Sequence, residues 1–405
     1  MMLGQSQFLV ISVPGSLGLK EDVMSLTRRD FAQTIGLGAA GVLSSPFIVA
    51  RGLEGAEFEP ESAQMPYDDG FIRISSNENA RGPGSSVIQA VHNTISFRAG
   101  RGYPPDHTNE LVTTIAEKHG VQRNNVVVGT GSGPLLSGAV AAFCSEAKPL
   151  VNATPSYSSP DGMARRIGAP IKQIPVDGSL RLDLGAMAEA ANGAGMVFLC
   201  NPNNPTGTAH PASAVEGFVR RVMRSSPDTR ILIDEAYIEY ALDPAISTAT
   251  ALTQEFPNVF LTRTFSKAHG MAGLRVGYAI GQQQTLGAIR RAYHLGSMNT
   301  LSAAAAIASL TDPEHLAAEA QENARVRDFT IKAFRDMGFD VADNHTNHLF
   351  VNLGRPAREF RAACLEQKVR VGRDFPPMEQ THSRISLGTM EEMETAVQVF
   401  RNVLG

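Results

Sequence analysis

The sequence predicts an α/β protein with a large domain, built on a mainly parallel seven-stranded sheet covered by helices, and a small α+β domain. Short β-branched runs alternate with apolar-periodic segments of helical length between residues 125 and 280. Such alternation is typical of a parallel sheet covered on both faces. After residue 300, a long helical segment leads to two further strands set between helices, which indicates the small domain. The 405 residues, 43% of them hydrophobic, are sufficient for both cores.

The elements can be placed along the chain by periodicity and by turn residues. A short strand is predicted to begin at residue 72, and further strands near 125–129, 149–153, 170–175, 195–200, 230–234, 258–262, 275–280, 347–352 and 384–387. Helices are predicted near 86–98, 108–119, 134–146, 183–192, 211–225, from about 283, and near 313–337, 356–367 and 390–403. The corresponding segments are a signal (1–50), a polar linker or arm (51–70), the N-terminal part of the small domain (71–98), the large domain (99–300) and the C-terminal small domain (301–405).

The first 50 residues are predicted to be an export signal. Arg28 and Arg29 precede a weakly apolar run, residues 32–50, which is rich in glycine and alanine and ends near small residues. The arginine pair resembles a twin-arginine (Tat) signal. A structural helix is the alternative, but the run has almost no polar residues at helical spacing and is too mild for a comfortable membrane span. We therefore expect a periplasmic or cell-envelope location, and otherwise a cytoplasmic one. Met24, just before the motif, is an alternative start.

The overall charge and the cysteines exclude several functions. A net charge of −4 gives no basic field for nucleic acid or for an acidic membrane. The three cysteines, Cys144, Cys200 and Cys364, are widely spaced in apolar surroundings. They fit neither a disulfide framework nor a zinc site, and are predicted to be core thiols.

Two local patterns each favour a ligand site, although neither is specific to one. Asp234 follows the apolar run 231–233, so it is predicted at the carboxyl end of a strand, where the ligands of such sheets bind. Residues 129–133 (Gly-Thr-Gly-Ser-Gly) lie between a predicted strand and a predicted helix, so backbone amides there can face an anion. Each pattern also has an ordinary explanation, a turn or cap for the aspartate and close packing for the glycines.

Three segments together resemble a known family. They are residues 201–207 (Asn-Pro-Asn-Asn-Pro-Thr-Gly), residues 231–237 (Ile-Leu-Ile-Asp-Glu-Ala-Tyr) and residues 263–278, which include Thr-Phe-Ser-Lys. In this order they resemble the fold-type I enzymes that depend on pyridoxal phosphate (PLP), most closely the class I/II aminotransferases of the histidinol-phosphate type. The resemblance covers about residues 71–403.

The resemblance implies a role for each matching residue. Lys267 would form the Schiff base with PLP and move the substrate proton. Asp234 would keep the pyridine nitrogen protonated, Asn204 and Tyr237 would donate to the ring oxygen, and Tyr157 would stack on the ring. The phosphate would be held by Thr130, Gly131, Ser132, Thr264, Ser266 and Arg275. Tyr103 would reach the phosphate of the neighbouring subunit, which implies a homodimer with shared active sites.

For the substrate, the resemblance implies that Arg384 grips the α-carboxylate. Arg373 and Arg355 are further candidates for the same pocket. The sequence departs from the family at Ala80, where proline is usual, and at Gly133-Pro134, where an acidic residue or asparagine and then glutamate often follow. It also departs at His269, where the family often has an aromatic residue; His269 either shifts substrate preference or is a packed residue.

The predicted function is amino-group transfer between an amino acid, or a histidinol-phosphate-like amine, and a 2-oxo acid. A PLP-dependent decarboxylase or lyase on the same scaffold is the alternative, because such enzymes share the cofactor motifs and differ in the substrate pocket. A PLP-binding sensor fused to a DNA-binding module is disfavoured, because no basic helix-turn-helix pattern precedes residue 71. Besides its two substrates, the expected partners are a second copy of the chain and the Tat machinery.

Overall fold

The computed structural model of the chain describes residues 69–95 and 105–405, which belong to one compact unit beginning at Asp69. The predicted signal, nearly all of the predicted linker, and Tyr103 lie outside the described residues. Within the described part, no helix is long and apolar enough to cross a membrane.

A seven-stranded sheet forms the centre of the unit. The strands of the whole described chain are β1 (Ile72–Ile74), β2 (Val126–Gly129), β3 (Leu150–Thr154), β4 (Ile171–Pro175), β5 (Met196–Cys200), β6 (Arg230–Asp234), β7 (Val259–Thr264), β8 (Gly277–Gly281), β9 (His348–Asn352), β10 (Val369–Val371) and β11 (His382–Ser386). The sheet order is β2-β8-β7-β6-β5-β3-β4. β8 runs antiparallel to both neighbours, and the other pairs are parallel. The prediction of a mainly parallel, seven-stranded α/β sheet is confirmed.

Twelve helices are described. They are α1 (Ser85–Thr94), α2 (Pro105–His119), α3 (Ser132–Phe143), α4 (Ser159–Arg166), α5 (Leu184–Ala190), α6 (Ala212–Ser225), α7 (Thr250–Glu255), α8 (Gln283–Ala292), α9 (Thr300–Leu310), α10 (Pro313–Asp336), α11 (Ala357–Glu366) and α12 (Met390–Leu404). Three of them, α4, α7 and α9, have no counterpart among the predicted helices. α4 and α7 are short, and α9 is too uniformly apolar to show a helical period.

The strands of the large sheet are buried on both faces. Along β6, Ile231 and Ile233 pack in one hydrophobic core and Leu232 packs in the core on the opposite face. All three side chains are almost fully inaccessible to solvent. This is the alternation that a strand imposes when both faces of its sheet are covered, and it accounts for the continuous apolar run in the sequence.

Two small sheets lie apart from the large one. β1 pairs in parallel with β10, and β9 pairs antiparallel with β11. A third core joins them to the long helices and includes Ile74, Phe334, Phe360 and Phe400. The predicted domain boundaries at residues 98 and 300 remain predictions.

The register of the strands in the large sheet determines which residues meet at the candidate site. Cys200 at the end of β5 lies opposite Asp234 at the end of β6, and Asp234 lies opposite Thr262 on β7. Because β8 is antiparallel, its first residue, Gly277, lies opposite both Thr264 and Gly129. One edge of the sheet therefore gathers the carboxyl ends of several strands, where ligands of α/β sheets bind.

Candidate active site

Lys267 lies in the loop 265–276, which connects β7 to β8 across the site. Its amine Nζ donates to the carbonyl oxygens of Ser76, at 3.2 Å, and Asn77, at 3.0 Å. Burial, reinforced by the positive charge of Arg384, lowers the pKa of Lys267 to about 8. An amine with this pKa has a substantial neutral fraction near physiological pH, which a nucleophile or proton carrier requires.

Asp234 is buried beneath the same edge, with 2% of its surface exposed. Its Oδ1 accepts a hydrogen bond from Thr262 Oγ1 at 2.9 Å. Burial raises the pKa of Asp234 to about 7; the Thr262 bond and the charge of Lys267 oppose this rise, while Glu235 adds to it. A cationic ring nitrogen beside this carboxyl would favour its ionised form, as the predicted pairing with a pyridine ring requires.

Tyr237 lies beside Lys267, and Asn204 contacts Arg384. The Tyr237 hydroxyl oxygen accepts from Asn77 Nδ2 at 3.0 Å, and Lys267 Nζ lies 5.8 Å from the centre of the Tyr237 ring. Burial raises the pKa of Tyr237, so its hydroxyl keeps its proton. Asn204 Oδ1 accepts from Arg384 Nη1 at 3.0 Å, which leaves the Asn204 amide nitrogen available for a ligand.

Tyr157 is half-buried, and its hydroxyl interacts with the carboxylate of Asp234. Burial raises the pKa of its hydroxyl, and the charge of Asp234 raises it further. The Tyr157 hydroxyl therefore interacts electrostatically with Asp234, and stacking of its ring on the cofactor stays a prediction.

The glycine-rich turn, residues 129–133, brings backbone amides close to Arg275. Gly131 precedes α3 with a φ of +85°, and a Cβ added to it would lie 2.5 Å from Arg275 Nη2. A Cβ on Gly277 would collide with the backbone nitrogen of Ser132. The backbone amides at the start of α3 and the Arg275 guanidinium thus approach one another at a place where no side chain could be accommodated.

Hydroxyl groups complete this anion site. Arg275 Nη1 donates to Ser266 Oγ at 3.3 Å, and the Ser266 amide donates to Thr264 Oγ1 at 3.1 Å. Thr130 is fixed from the other side, because its amide donates to Leu295 O at 3.0 Å. Amides, hydroxyls and an arginine fork fit a phosphate group.

Arg384 and Arg373 line a cavity of about 740 Å³, whose wall includes Ser76, an acceptor of the Lys267 amine. Arg384 is 6% exposed, and its Nη2 donates to Ser75 O at 2.6 Å. Its Nε has no hydrogen-bond partner among the described residues. Burial lowers the pKa of Arg384 to about 10, so the guanidinium is still charged at neutral pH and can bind a carboxylate.

Arg373 lies at the mouth of this cavity and is exposed. Its guanidinium carbon is 4.3 Å from the centre of the Phe375 ring, and Arg384 lies 4.8 Å from the same ring. Arg361, a third arginine of the wall, is paired with Asp374. Arg355 lies elsewhere, with its guanidinium donating to the carbonyl groups at the end of α12.

His269 is a packed residue in this structure. Its Nδ1 is 2.6 Å from Ser309 Oγ, and its ring lies 4.5 Å from that of Phe265. Burial lowers its pKa to about 3, so the ring is neutral. Of the two interpretations of His269, the structure favours packing.

Sequence reasoning missed three residues that contact the site: Asn77, His348 and Ser386. Asn77 begins an Asn-Glu-Asn segment (77–79), which by itself indicates no role in a ligand site. Their hydrogen bonds span between 160 and 309 positions of the chain, so no local pattern could have revealed them.

No group of three or more histidine, cysteine, aspartate and glutamate side chains in the described part could hold a metal ion. The residues that are present fit a phosphorylated pyridine cofactor on three observations. These are the close approach of Arg275 to Gly131, where a Cβ would collide with the guanidinium, the buried carboxyl of Asp234 and the lowered pKa of Lys267.

Known proteins of similar sequence and structure agree with this geometry. The sequence profile of the family described as aminotransferase class I and II matches residues 69–400. The chain is 31% identical to a histidinol-phosphate aminotransferase of Moorella thermoacetica over 337 residues (82% of this chain, 85% of that protein), and 35% identical to an aromatic amino acid aminotransferase of Rhodococcus opacus over 329 residues (80% and 87%). The structure of a histidinol-phosphate aminotransferase from Sinorhizobium meliloti in complex with pyridoxal 5′-phosphate superimposes with a TM-score of 0.75 at 27% identity, covering 82% of this chain and 90% of that one. The chain belongs to the class I and II aminotransferase family and is a PLP-dependent aminotransferase.

Proposed function

We propose that this aminotransferase takes its amino group from an α-amino acid whose carboxylate binds Arg384, and passes it to a 2-oxo acid. The observation that carries the proposal is the proximity of Lys267, Asp234 and Arg384, since the charges of both Arg384 and Asp234 act on the Lys267 amine. Bound PLP would supply the electron withdrawal that makes the substrate Cα acidic. The protein would supply the proton carrier, the ring partner and the carboxylate clamp.

Each of these residues has a separate task. Lys267 Nζ, whose lowered pKa leaves a fraction of the amine neutral, would take and return the proton at the substrate Cα. Asp234 would hold the ring nitrogen in its protonated form, and Tyr157 would cover the ring. Arg384 retains three of its five N–H donors after its bonds to Asn204 and Ser75, enough for a bidentate carboxylate.

The clamp supports transamination over decarboxylation. A carboxylate held by two hydrogen bonds to a buried guanidinium is fixed in place, whereas its loss as carbon dioxide requires it to leave the plane of the ring. An α-amino carboxylate is also favoured over histidinol phosphate, because the predicted export would separate the enzyme from a cytosolic intermediate.

The test is the visible absorbance of the purified, PLP-loaded protein against a panel of amino acids and histidinol phosphate, without added 2-oxo acid. Loss of the cofactor–lysine band to the pyridoxamine form, with stoichiometric 2-oxo acid, would name the donor. Carbon dioxide released without that change would move the assignment to a decarboxylase. Lys267→Ala is the negative variant, and Lys332→Ala, on an exposed face of α10, is the matched control.

The carboxylate clamp has its own test. In Arg384→Gln we expect kcat/KM to fall by roughly 30-fold or more for every amino acid donor, since a buried charged partner of the substrate is lost. In Arg373→Gln we expect a loss confined to donors with a second anionic group, because Arg373 is exposed at the cavity mouth. Equal losses for all donors in both variants would contradict this division of roles.

The active form is proposed to be a homodimer with shared sites. The support is the resemblance of Tyr103 to a tyrosine that reaches the neighbouring subunit's phosphate. Mixing two weakly active variants, Lys267→Ala and Tyr103→Phe, and allowing subunits to exchange should restore activity, since each hybrid contains one intact site. No recovery from a mixture shown to contain hybrids would refute shared sites.

Export through the Tat route is proposed from Arg28 and Arg29 and the apolar run that follows. The route transports folded proteins, which suits an enzyme that must fold around its cofactor in the cytosol. Cell fractionation of the double variant Arg28→Lys, Arg29→Lys should show retention in the cytoplasm. An unchanged distribution would rule out the proposed signal.

A further inference from the structure

Asn77 connects the small β9–β11 sheet to the catalytic edge of the large sheet. It lies between β1 and α1, is 1% exposed, and has a φ of +57°. This left-handed conformation is uncommon outside glycine, although asparagine tolerates it better than most residues. Its carbonyl accepts from Lys267 Nζ and, at 3.1 Å, from Asn347 Nδ2.

The direction of the hydrogen bonds around Asn77 is set by a backbone group. The Asn77 amide N–H donates to Ser386 Oγ at 2.9 Å. A backbone N–H cannot accept, so the Ser386 hydroxyl proton is free to donate to Asn77 Oδ1, and the separation of 2.6 Å fits an O–H···O bond. This bond identifies the Asn77 side-chain oxygen, and the side-chain nitrogen must therefore face the opposite side.

That nitrogen, Asn77 Nδ2, has two neighbours, each at 3.0 Å: Tyr237 Oη and His348 Nδ1. Because the amide has two hydrogens, it can donate to both. His348 Nδ1 then accepts, so the neutral ring carries its proton on Nε2. Burial lowers the pKa of His348 well below its usual range, in keeping with a neutral ring.

The consequence for Tyr237 is geometric. Its oxygen accepts a bond from Asn77, so its own proton is directed away from Asn77. We infer that Asn77, oriented by Ser386, is a positioning residue that directs the Tyr237 hydroxyl proton toward the cofactor. The inference rests on the proposed placement of the cofactor beside Tyr237, and names the acceptor as an anionic ring oxygen.

The titratable and charged side chains that face Tyr237 and Asn77 are Lys267, Arg384, Tyr157, Tyr240, Cys200 and His348. Ser386 is uncharged, so Ser386→Ala changes none of these charges directly. It removes the one side-chain donor that identifies the Asn77 oxygen and allows the amide to rotate.

The experiment is a pH titration of the visible absorbance of the PLP-loaded protein. A donor to the ring oxygen stabilises the form with more negative charge on that oxygen, and so lowers the midpoint of the titration. Ser386→Ala should raise the midpoint by about 0.5 pH unit, the effect of weakening one ordinary hydrogen bond. Asn77→Asp should raise it by more than about 1 pH unit, because its carboxylate has no hydrogen to give and would draw the Tyr237 proton toward itself.

The matched control is Ser383→Ala. Ser383 lies on the same strand, is equally buried, and its hydroxyl has no hydrogen-bond partner among the described residues. Ser386→Thr keeps the hydroxyl and should return the midpoint to the wild-type value. A midpoint for Ser386→Ala equal to that of Ser383→Ala would overturn the inference, whatever the fate of Asn77→Asp. A wild-type protein that binds PLP without any lysine-linked band would instead overturn the proposed function.

Discussion

The low pKa of Lys267 makes a prediction about stability that needs no substrate. In cofactor-free protein, the folded chain has a lysine pKa of about 8 where the unfolded chain has the ordinary value of 10.5. Between these two pH values the unfolded chain binds a proton that the folded chain does not. The free energy of unfolding therefore rises with pH across this window and is flat, with respect to this group, below it.

The magnitude follows from the same two values. Their difference corresponds to about 3 kcal/mol. Lys267→Met removes the group, so the stability of wild type relative to this variant should increase by about 3 kcal/mol between pH 7 and pH 10.5. Below pH 8 the wild type carries the full cost of a buried charge, and the variant is expected to be the more stable protein there.

The assay is urea unfolding of cofactor-free wild type and Lys267→Met at several pH values between 7 and 10.5. Other titrating groups are common to both proteins and cancel in the difference. Lys332→Met, at a lysine whose side chain is 75% exposed, is the control and should show no such window. If the difference in the free energy of unfolding between wild type and Lys267→Met does not change with pH, the claim that burial disfavours the charged form of this amine is refuted.

Two further predictions concern the cofactor. Asp234→Asn should retain bound PLP but lose about 100-fold or more in kcat/KM, because the ring nitrogen loses its charged partner; wild-type rates would show that this pairing is misassigned. Gly131→Ala should weaken PLP binding by about tenfold or more, since the new Cβ meets Arg275 and the φ of +85° suits only glycine. The control is Gly133→Ala, in the same turn but with open space around it. Equal dissociation constants for PLP in the two variants would contradict the proposed phosphate site at Gly131.

Residues at strand ends could be predicted from the sequence because their signals are local. Asp234 follows three apolar residues that alternate between the two cores, so both its strand and its end were predictable. Gly131 and Ser132 lie between a β-branched run and a helix, where an anion site needs them. Roles for the matching side chains came from the family resemblance.

What could not be predicted depends on contacts between distant parts of the chain. α9 is Thr-Leu-Ser-Ala-Ala-Ala-Ala-Ile-Ala-Ser-Leu, and most of its faces are buried, so it has no polar stripe to mark a helical period. Asn77 and Ser386 are 309 positions apart and meet because β1 and the small antiparallel sheet share one hydrophobic core. Nothing in either local sequence distinguishes them from ordinary polar loop and strand residues.

The loop 265–276 has a consequence for how this active site can change. Its ends are joined by a hydrogen bond from Phe265 N to Val276 O at 3.0 Å, and a second bond joins Gly270 N to Lys267 O at 2.9 Å. One hairpin-like connection thus carries both the lysine and, at its far end, Arg275. An insertion or deletion within it would alter the spacing between the reactive amine and the anion anchor in a single event. The length of this connection therefore sets the distance between the lysine and the phosphate-binding arginine. We expect substrate range to change through residues that line the substrate cavity, and not through changes in the length of this loop.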